Sequence, residues 1–408
     1  MKANLDARCV ADELTGARFR PEAELLVRCA VARPRDEGRI SDLVSRGLDW
    51  RFLLRAAERH RVLPLLCRNL ERGCPDRVPA TVMRQLRSGL VTNAARSMEM
   101  TCELLTVVKL LQASGIEVVP FKGPMLAVAA HGDLALRQFS DLDILVHPAD
   151  IGAARAVLAT RGYRDRESPH ADDLAPSLRS TYHAKLLRQD RRIFLELHWA
   201  FAPDAFNFRF EEEPFWERLV VVRIGDAAVS CFAPEDSFLV LAVHGAKHQW
   251  WRLDWLSSTV EYLARNPDLD LFRTLALARK LHVERIVRLA IWFASDLYGV
   301  PVPGAIARQV RQDKVVARLG RRVLQRLFVE REPHPGEYHS FHLRLREHAA
   351  DRWRYFTHIG VMPNARDRAS LALPGFLAAL RHLTRPLRLV SIYRWRSVKQ
   401  MLGSLWCF

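Results

Sequence analysis

Residues 140–146 read Ser-Asp-Leu-Asp-Ile-Leu-Val, and this alternation constrains the fold more than any other stretch of the chain. In a β-strand, residues two apart face the same side. Asp141 and Asp143 therefore project together, while Leu142 and Ile144 face the opposite side, toward a core. Two ionised carboxylates roughly 5 Å apart repel by about 3 kcal/mol at an effective dielectric near 20. A fold holding them side by side needs a cation, a basic side chain or a proton to offset that charge. The strand also needs a sheet around it.

The neighbouring sequence supplies one. Residues 116–121, IEVVPF, form a short β-branched run read as a strand, and Phe121-Lys122-Gly123-Pro124 joins it to a helical stretch through Ala130. His131-Gly132-Asp133 breaks that stretch before the acidic strand. Pro148 opens a helix that Gly162 stops. TYHAKLLRQ and RIFLELHWA, within 181–199, flank Asp190-Arg191 and read as a hairpin. On its second strand Arg192, Phe194, Glu196 and His198 share a face, which places Glu196 in the same sheet as the two aspartates. LVVVRI and AVSCF, split by Gly225-Asp226, read as another hairpin.

Helical periodicity dominates elsewhere. It runs from Pro21 to about Ser114, with one long helix over Pro79–Ser114 ended by Gly115, and resumes from Pro234 to about Gly299. Residues 300–350 read as mixed and Arg-rich. The expected fold is α+β, a small mixed-sheet core flanked by N-terminal and C-terminal helical regions. The expected divisions are a helical region 1–114, an α/β core 115–232, a helical domain 233–330 bordering the site, and a basic helical extension 331–408. The late stretch from Arg381 to Phe408 mixes Arg with apolar residues; Pro386 interrupts it, which favours docking on the protein over lying on a membrane.

With 408 residues the chain is long enough for two or three domains, and its formal charge of +16 suits phosphorylated substrates, nucleic acid or an anionic surface. No RNP-like, KH-like or zinc-finger signature accompanies that charge, so nucleic acid ranks below a small substrate. The seven cysteines are irregularly spaced without a CxxC pair, which fits free thiols. No apolar run is long enough to span a bilayer, and the first residues lack a secretory core, so a cytoplasmic location is expected. Walker-type, GxSxG and kinase catalytic-loop patterns are absent from the sequence.

Mg²⁺ (or Mn²⁺) is the natural partner for a few carboxylates, waters and phosphate oxygens. In two-metal phosphoryl chemistry two carboxylates bridge the cations, and a third holds the nucleophile-side metal or takes the proton. Asp141, Asp143 and Glu196 fit these places. Gly123 permits a tight turn and close backbone approach, and Lys122 can set a point charge on a phosphate. Singly, a DLD tripeptide is a common surface turn, Gly-Pro an ordinary strand–helix turn and Glu196 a solvated strand residue; the ordered combination is far more specific.

At these residues the sequence resembles the DNA polymerase beta-type nucleotidyltransferases, and within them a bacterial family of uncharacterised nucleotidyltransferases. GIEVVPFKGPMLA, HGDLALRQFSDLDILV and FLELHWAF carry the resemblance, extended by HGAKHQWWRLDWL and LPGFLAALRHLTRPLRL, over roughly residues 50–390. It implies a metal-binding acid pair at Asp141 and Asp143, a third acid at Glu196 and a phosphate-side glycine at Gly123. It also implies transfer of a nucleoside monophosphate from an NTP to a hydroxyl or phosphate acceptor, with release of pyrophosphate. The acceptor can be a small molecule, a glycan precursor or a peptide. Lys122-Gly123 replaces the superfamily's Gly-Ser, and the gap to Asp141 is long, which leaves nucleotide geometry open. A nucleotide-binding or scaffold protein without turnover, and an RNA- or DNA-modifying transferase, are the competing readings.

Lys247 and His248, one helical turn from His244, are candidates for phosphate contact, beside Trp250, Trp251 and Trp255; a packed helix with a basic edge explains them equally well. Arg137 can offset the acid strand or reach a phosphate, and equally can pair with Asp133. His198 can orient Glu196, although a half-buried histidine beside Trp199 is the plainer reading. Tyr182 and His183 receive no role.

Overall fold

The computed structural model describes residues 19–165, 182–188, 190, 192–329, 331 and 334–361. The final basic stretch lies outside the described residues. Helices come first: α1 (Pro21–Arg28), α2 (Glu37–Ser45), α3 (Trp50–Arg59), α4 (Leu63–Gly73) and the long α5 (Ala80–Ala113). Asp36 and Asp49 cap α2 and α3 by accepting from Arg39 and Phe52 N–H groups. No proline interrupts α5, and Gly89 lets α4 approach it closely: a Cβ there would lie 2.7 Å from a Leu63 methyl. Its end is a Schellman-type closure, with Gly115 at φ +74 and Ile116 N–H bonded to Leu111 C=O.

The sheet follows. β1 (Val118–Pro120), β2 (Asp141–Val146), β3 (Tyr163–Asp165), β4 (His183–Arg188) and β5 (Ile193–His198) lie in the order β1-β2-β5-β4-β3. Only the β2–β5 pair is parallel; the other neighbours are antiparallel. A separate hairpin, β6 (Val220–Ile224) and β7 (Ala227–Cys231), turns at Gly225 with φ +57. The mixed α+β class expected from the sequence is the class observed. One face of the sheet is apolar: Leu142, Ile144, Leu195 and Leu197 pack with Met100, Leu104 and Leu111 of α5 and Leu158 of α7 (Ile151–Thr160). The acids are on the other face.

After the sheet come α8 (Pro234–Lys247), α9 (Leu253–Arg265), α10 (Leu271–Lys280), α11 (Glu284–Trp292), α12 (Gly304–Gln312), α13 (Lys314–Leu327), α14 (Pro335–Leu345) and α15 (Ala349–Val361). Leu25, Leu66 and Leu86 of the N-terminal helices share one buried cluster with Leu239, Leu256, Val287 and Leu319. Residues 300–350 are thus mainly helical rather than mixed: Asp313 caps α13 and Pro335 begins α14, two start signals hidden among arginines. The short helix after Lys122, α6 (Gly123–Leu126), continues as a π turn to His131 and ends where the sequence places the break, at Gly132, where φ is +69. No helix among the described residues is long and apolar enough to cross a membrane.

Candidate active site

Strand register builds the site. Asp143 lies directly across from Glu196 in the parallel β2–β5 pair, and Asp141 across from Phe194. On the other flank of β5, His183 faces His198 and Lys185 faces Glu196. Side chains of directly opposed residues share a sheet face. One patch therefore gathers Asp141, Asp143, Glu196, His198 and His183.

Lys122 is the residue that sequence reasoning reserved for phosphate. In the structure its buried ammonium donates to Asp143 Oδ1 at 2.6 Å. The backbone delivers it there, because Phe121 N–H bonds to Asp143 C=O and Gly123 turns the chain at φ +53. A Cβ on Gly123 would stand 3.4 Å from the Asp141 carbonyl, so the turn lies close against the acid strand. Burial pushes the Asp143 carboxyl up, but Lys122 and the bond to His198 outweigh it and hold that carboxyl well below its usual range.

His198 is buried and bridges the acids, with Nε2 at 3.3 Å from Asp143 Oδ1 and 3.2 Å from Glu196 Oε2. Its ring stacks on His183 at 5.0 Å, and His183 Nε2 lies 3.6 Å from Glu196 Oε1. Burial raises the Glu196 carboxyl and the His198 contact lowers it, with the net result a fall to about 2. Asp141 moves the other way: burial raises it, and the charges of Asp143 and Glu196 add to the rise. On this face the donor atoms that cluster within 4.8 Å of one another belong to Asp143, Glu196 and His198, and Asp141 stands outside that group. Two hard carboxylates and an imidazole suit a divalent cation.

Arg137 is buried and forms no ion pair with Asp133, which instead caps a short turn by accepting from Ala135 N–H. Its Nε donates to Ser258 Oγ at 3.2 Å, and Nη1 has no protein partner among the described residues. Burial lowers its pKa, opposed by the charges of Asp254, Asp141 and Asp143. The guanidinium thus links α9 to the acid strand.

Lys247 ends α8 and donates to Tyr182 Oη at 3.1 Å. Burial and the Lys122 charge depress its pKa to about 7. His248 stacks on Trp255 at 4.5 Å, and burial with the neighbouring Lys247 lowers it to about 3, so it is a neutral ring. Both residues, with Tyr182, Trp251, Arg59 and Tyr338, line a cavity of about 530 Å³. Trp250, in contrast, is fully buried and packs on Phe293. His198, His183 and Tyr182 were undervalued by sequence. The signal for the first was its shared parity with Glu196; for the other two it was the hairpin register.

Side-by-side carboxylates beside a lysine on a strand-to-helix turn can bind a divalent cation and phosphate oxygens, chemistry used by transferases that act on phosphate groups. Within that class the chain belongs to the family described as uncharacterised nucleotidyltransferase, whose model matches residues 46–299, from the end of α2 to just past the π turn (Phe293–Leu297) that follows α11. No curated protein matches the chain.

Proposed function

We propose that this protein transfers a nucleoside monophosphate from an NTP to a hydroxyl or phosphate acceptor, in the manner of the DNA polymerase beta-type nucleotidyltransferases. The observation that carries this is the Asp143–Glu196 pairing across two parallel strands, with Asp141 two residues along the same strand face. Asp141, Asp143 and Glu196 would hold Mg²⁺ or Mn²⁺, which when bound neutralises triphosphate charge and activates the attacking oxygen. The new bond joins the acceptor oxygen to the α-phosphorus, the bond from that phosphorus to the oxygen bridging to the β-phosphate breaks to release pyrophosphate, and the proton of a hydroxyl acceptor passes to solvent or to the departing pyrophosphate.

The chain's own groups do the rest in this reading. Lys122, which pairs with Asp143 in this structure, would be free to contact a phosphate oxygen if a metal took up that carboxylate. Arg137 holds the acid strand against α9, and Gly123 lets the triphosphate approach the backbone. Lys247 and His248 stand on the wall of the 530 Å³ cavity, where Trp251 and Tyr338 offer flat faces to a base or an acceptor. The acceptor is a small molecule, a glycan precursor or a peptide.

Incubation with labelled NTPs, Mg²⁺ or Mn²⁺ and candidate acceptors tests the proposal. Transfer is expected to fall at least a thousandfold in Asp141→Ala and in Asp143→Ala, as for removal of groups acting as one unit (roughly 4 kcal/mol). Transfer that survives both substitutions would sink the metal assignment. A second reading has one observation in its favour: Lys122 already satisfies Asp143. It is a nucleotide-binding protein without turnover, and tight Mg²⁺-NTP binding with no pyrophosphate release over long incubation would select it.

A further inference from the structure

A second cavity, of about 470 Å³, lies away from the acid face, between the loop after α1 and the C-terminal end of α9. Arg33, Arg68 and Arg265 line it together with His131 and Glu261. None of these three guanidiniums forms an ion pair with a carboxylate of the described residues. All three charges act on the Glu261 carboxyl, opposing the upward push of its burial.

Two glycines at positive φ leave room for guanidiniums, one for Arg265 of the cavity wall and one for Arg35. A Cβ on Gly132 would lie 2.6 Å from Arg265 Nη2, and one on Gly299 would overlap the Arg35 guanidinium. Gly299 is flanked by Tyr298 and Val300, both on the cavity wall. Glu261, the one carboxylate lining the cavity, turns Oε1 to the Ala32 N–H at 2.7 Å. His131 is 5 % exposed, and its Nδ1 has no hydrogen-bond partner among the described residues. Burial and the charges of Arg137, Arg265 and Arg68 lower its pKa to about 3, so the ring is neutral and can donate from one nitrogen.

We propose that this cavity is a second ligand site, taking a small anion with at least two phosphate groups, held by Arg33, Arg68 and Arg265 with His131 at its floor. Forked guanidiniums match phosphate oxygens in pairs, and three of them around one cavity exceed what a single phosphate needs. The site connects with the acid face through two elements. His131 closes the helix that Gly123 opens, and Arg265 ends α9 roughly 10 Å along its axis from Ser258, the partner of Arg137.

Isothermal titration of the full chain with sodium pyrophosphate in EDTA tests this, with inorganic phosphate as the second probe. Pyrophosphate is expected to bind at least tenfold more tightly than phosphate, and binding should persist in Lys122→Ala. Arg68→Ala and Arg265→Ala should each weaken it about tenfold, the effect of one charge-assisted contact. Gly132→Ala, which displaces Arg265 without removing its charge, should do the same. Arg84→Ala and Arg223→Ala, exposed arginines on α5 and on the β6–β7 hairpin, serve as controls for bulk charge. Unchanged binding in Arg68→Ala and Arg265→Ala, equal losses in the two controls, abolition by Lys122→Ala alone, or equal affinity for the two probes would each overturn the assignment.

Discussion

Replacing Lys122 by Met removes the ammonium that pairs with Asp143 and keeps most of its volume. At 2.6 Å and an effective dielectric of about 20, the gross attraction to Asp143 is about 6 kcal/mol. Desolvation of both groups cancels much of this, and breaking such a buried pair by losing one partner typically costs about 3–5 kcal/mol. With an unfolding entropy of about 2.1 cal/mol/K per residue, that loss lowers the melting temperature of a cooperatively unfolding 408-residue chain by about 4–6 °C. The pH dependence carries the diagnostic sign. In the native protein the Asp143 carboxyl is held below its ordinary value, so its contribution is present above the unfolded pKa of about 3.9 and lost as pH falls through the folded value. In Lys122→Met, burial and the charges of Asp141 and Glu196 push the same carboxyl up, and proton uptake relieves the strain. The gap between variant and native protein should therefore narrow between pH 7 and pH 5, and narrow at pH 7 when Mg²⁺ is added. Differential scanning fluorimetry over pH, with and without Mg²⁺, reads both effects, and a double-mutant cycle with Asp143→Asn isolates the pair. A variant that melts with the native protein, or a gap indifferent to both pH and metal, would refute the charge balance argued for this face.

Glu103 accepts from Arg161, Arg188 and Tyr163 and ties α5 to the far edge of the sheet; burial raises its carboxyl, but the two arginines outweigh it and lower it. Glu103→Gln should cost about 3 kcal/mol in urea unfolding at pH 7, and the difference should shrink as pH falls below about 4.3, the unfolded value. Lys247, depressed to about 7, should hold nucleotide phosphate only when charged. NTP affinity by titration calorimetry is then expected to weaken about tenfold from pH 6 to pH 8, and Lys247→Met to abolish that slope. Gly245 leaves room for the fully buried Trp250 indole, so Gly245→Ala should lose about 2–3 kcal/mol by overpacking. Gly152→Ala, with open space around its Cβ position in α7, should gain about 0.5–1 kcal/mol in the same thermal melt.

What was legible in the sequence was local. The period of two placed Asp141 with Asp143, and Glu196 with His198, because side-chain alternation needs no tertiary information. Which strands are neighbours is not local. That β5 runs parallel beside β2, with Glu196 opposite Asp143, depends on a crossover of some fifty residues. His183 reaches Glu196 only through the hairpin register, and Arg137 meets Ser258 only because α9 packs across the turn before β2. His198 was undervalued for a different reason: Trp199 beside it signalled a core, and the two residues face opposite sides of the strand.

The charge on this face explains why the remaining assignments hang together. A carboxylate pair on one strand demands a cation, a basic side chain or a proton, and the site answers differently for each acid. Asp143 has Lys122, Glu196 shares His198 with it, and Asp141, with no ion pair to a basic side chain among the described residues, is pushed toward its protonated form. Lys122 pairs with only one of the three carboxylates, and Arg137 bonds Ser258 and is drawn to Asp254 ahead of Asp141 and Asp143. A divalent ion bound at Asp141, Asp143 and Glu196 would restore the balance and free Lys122 for phosphate. The same deficit makes Asp141, the acid outside the tight cluster, the residue whose substitution most directly separates a metal-dependent transferase from a protein that only binds nucleotide. Asp141→Asn removes the excess charge without touching the Lys122 pair. On the transferase reading it abolishes turnover while leaving the fold as stable as before or more so.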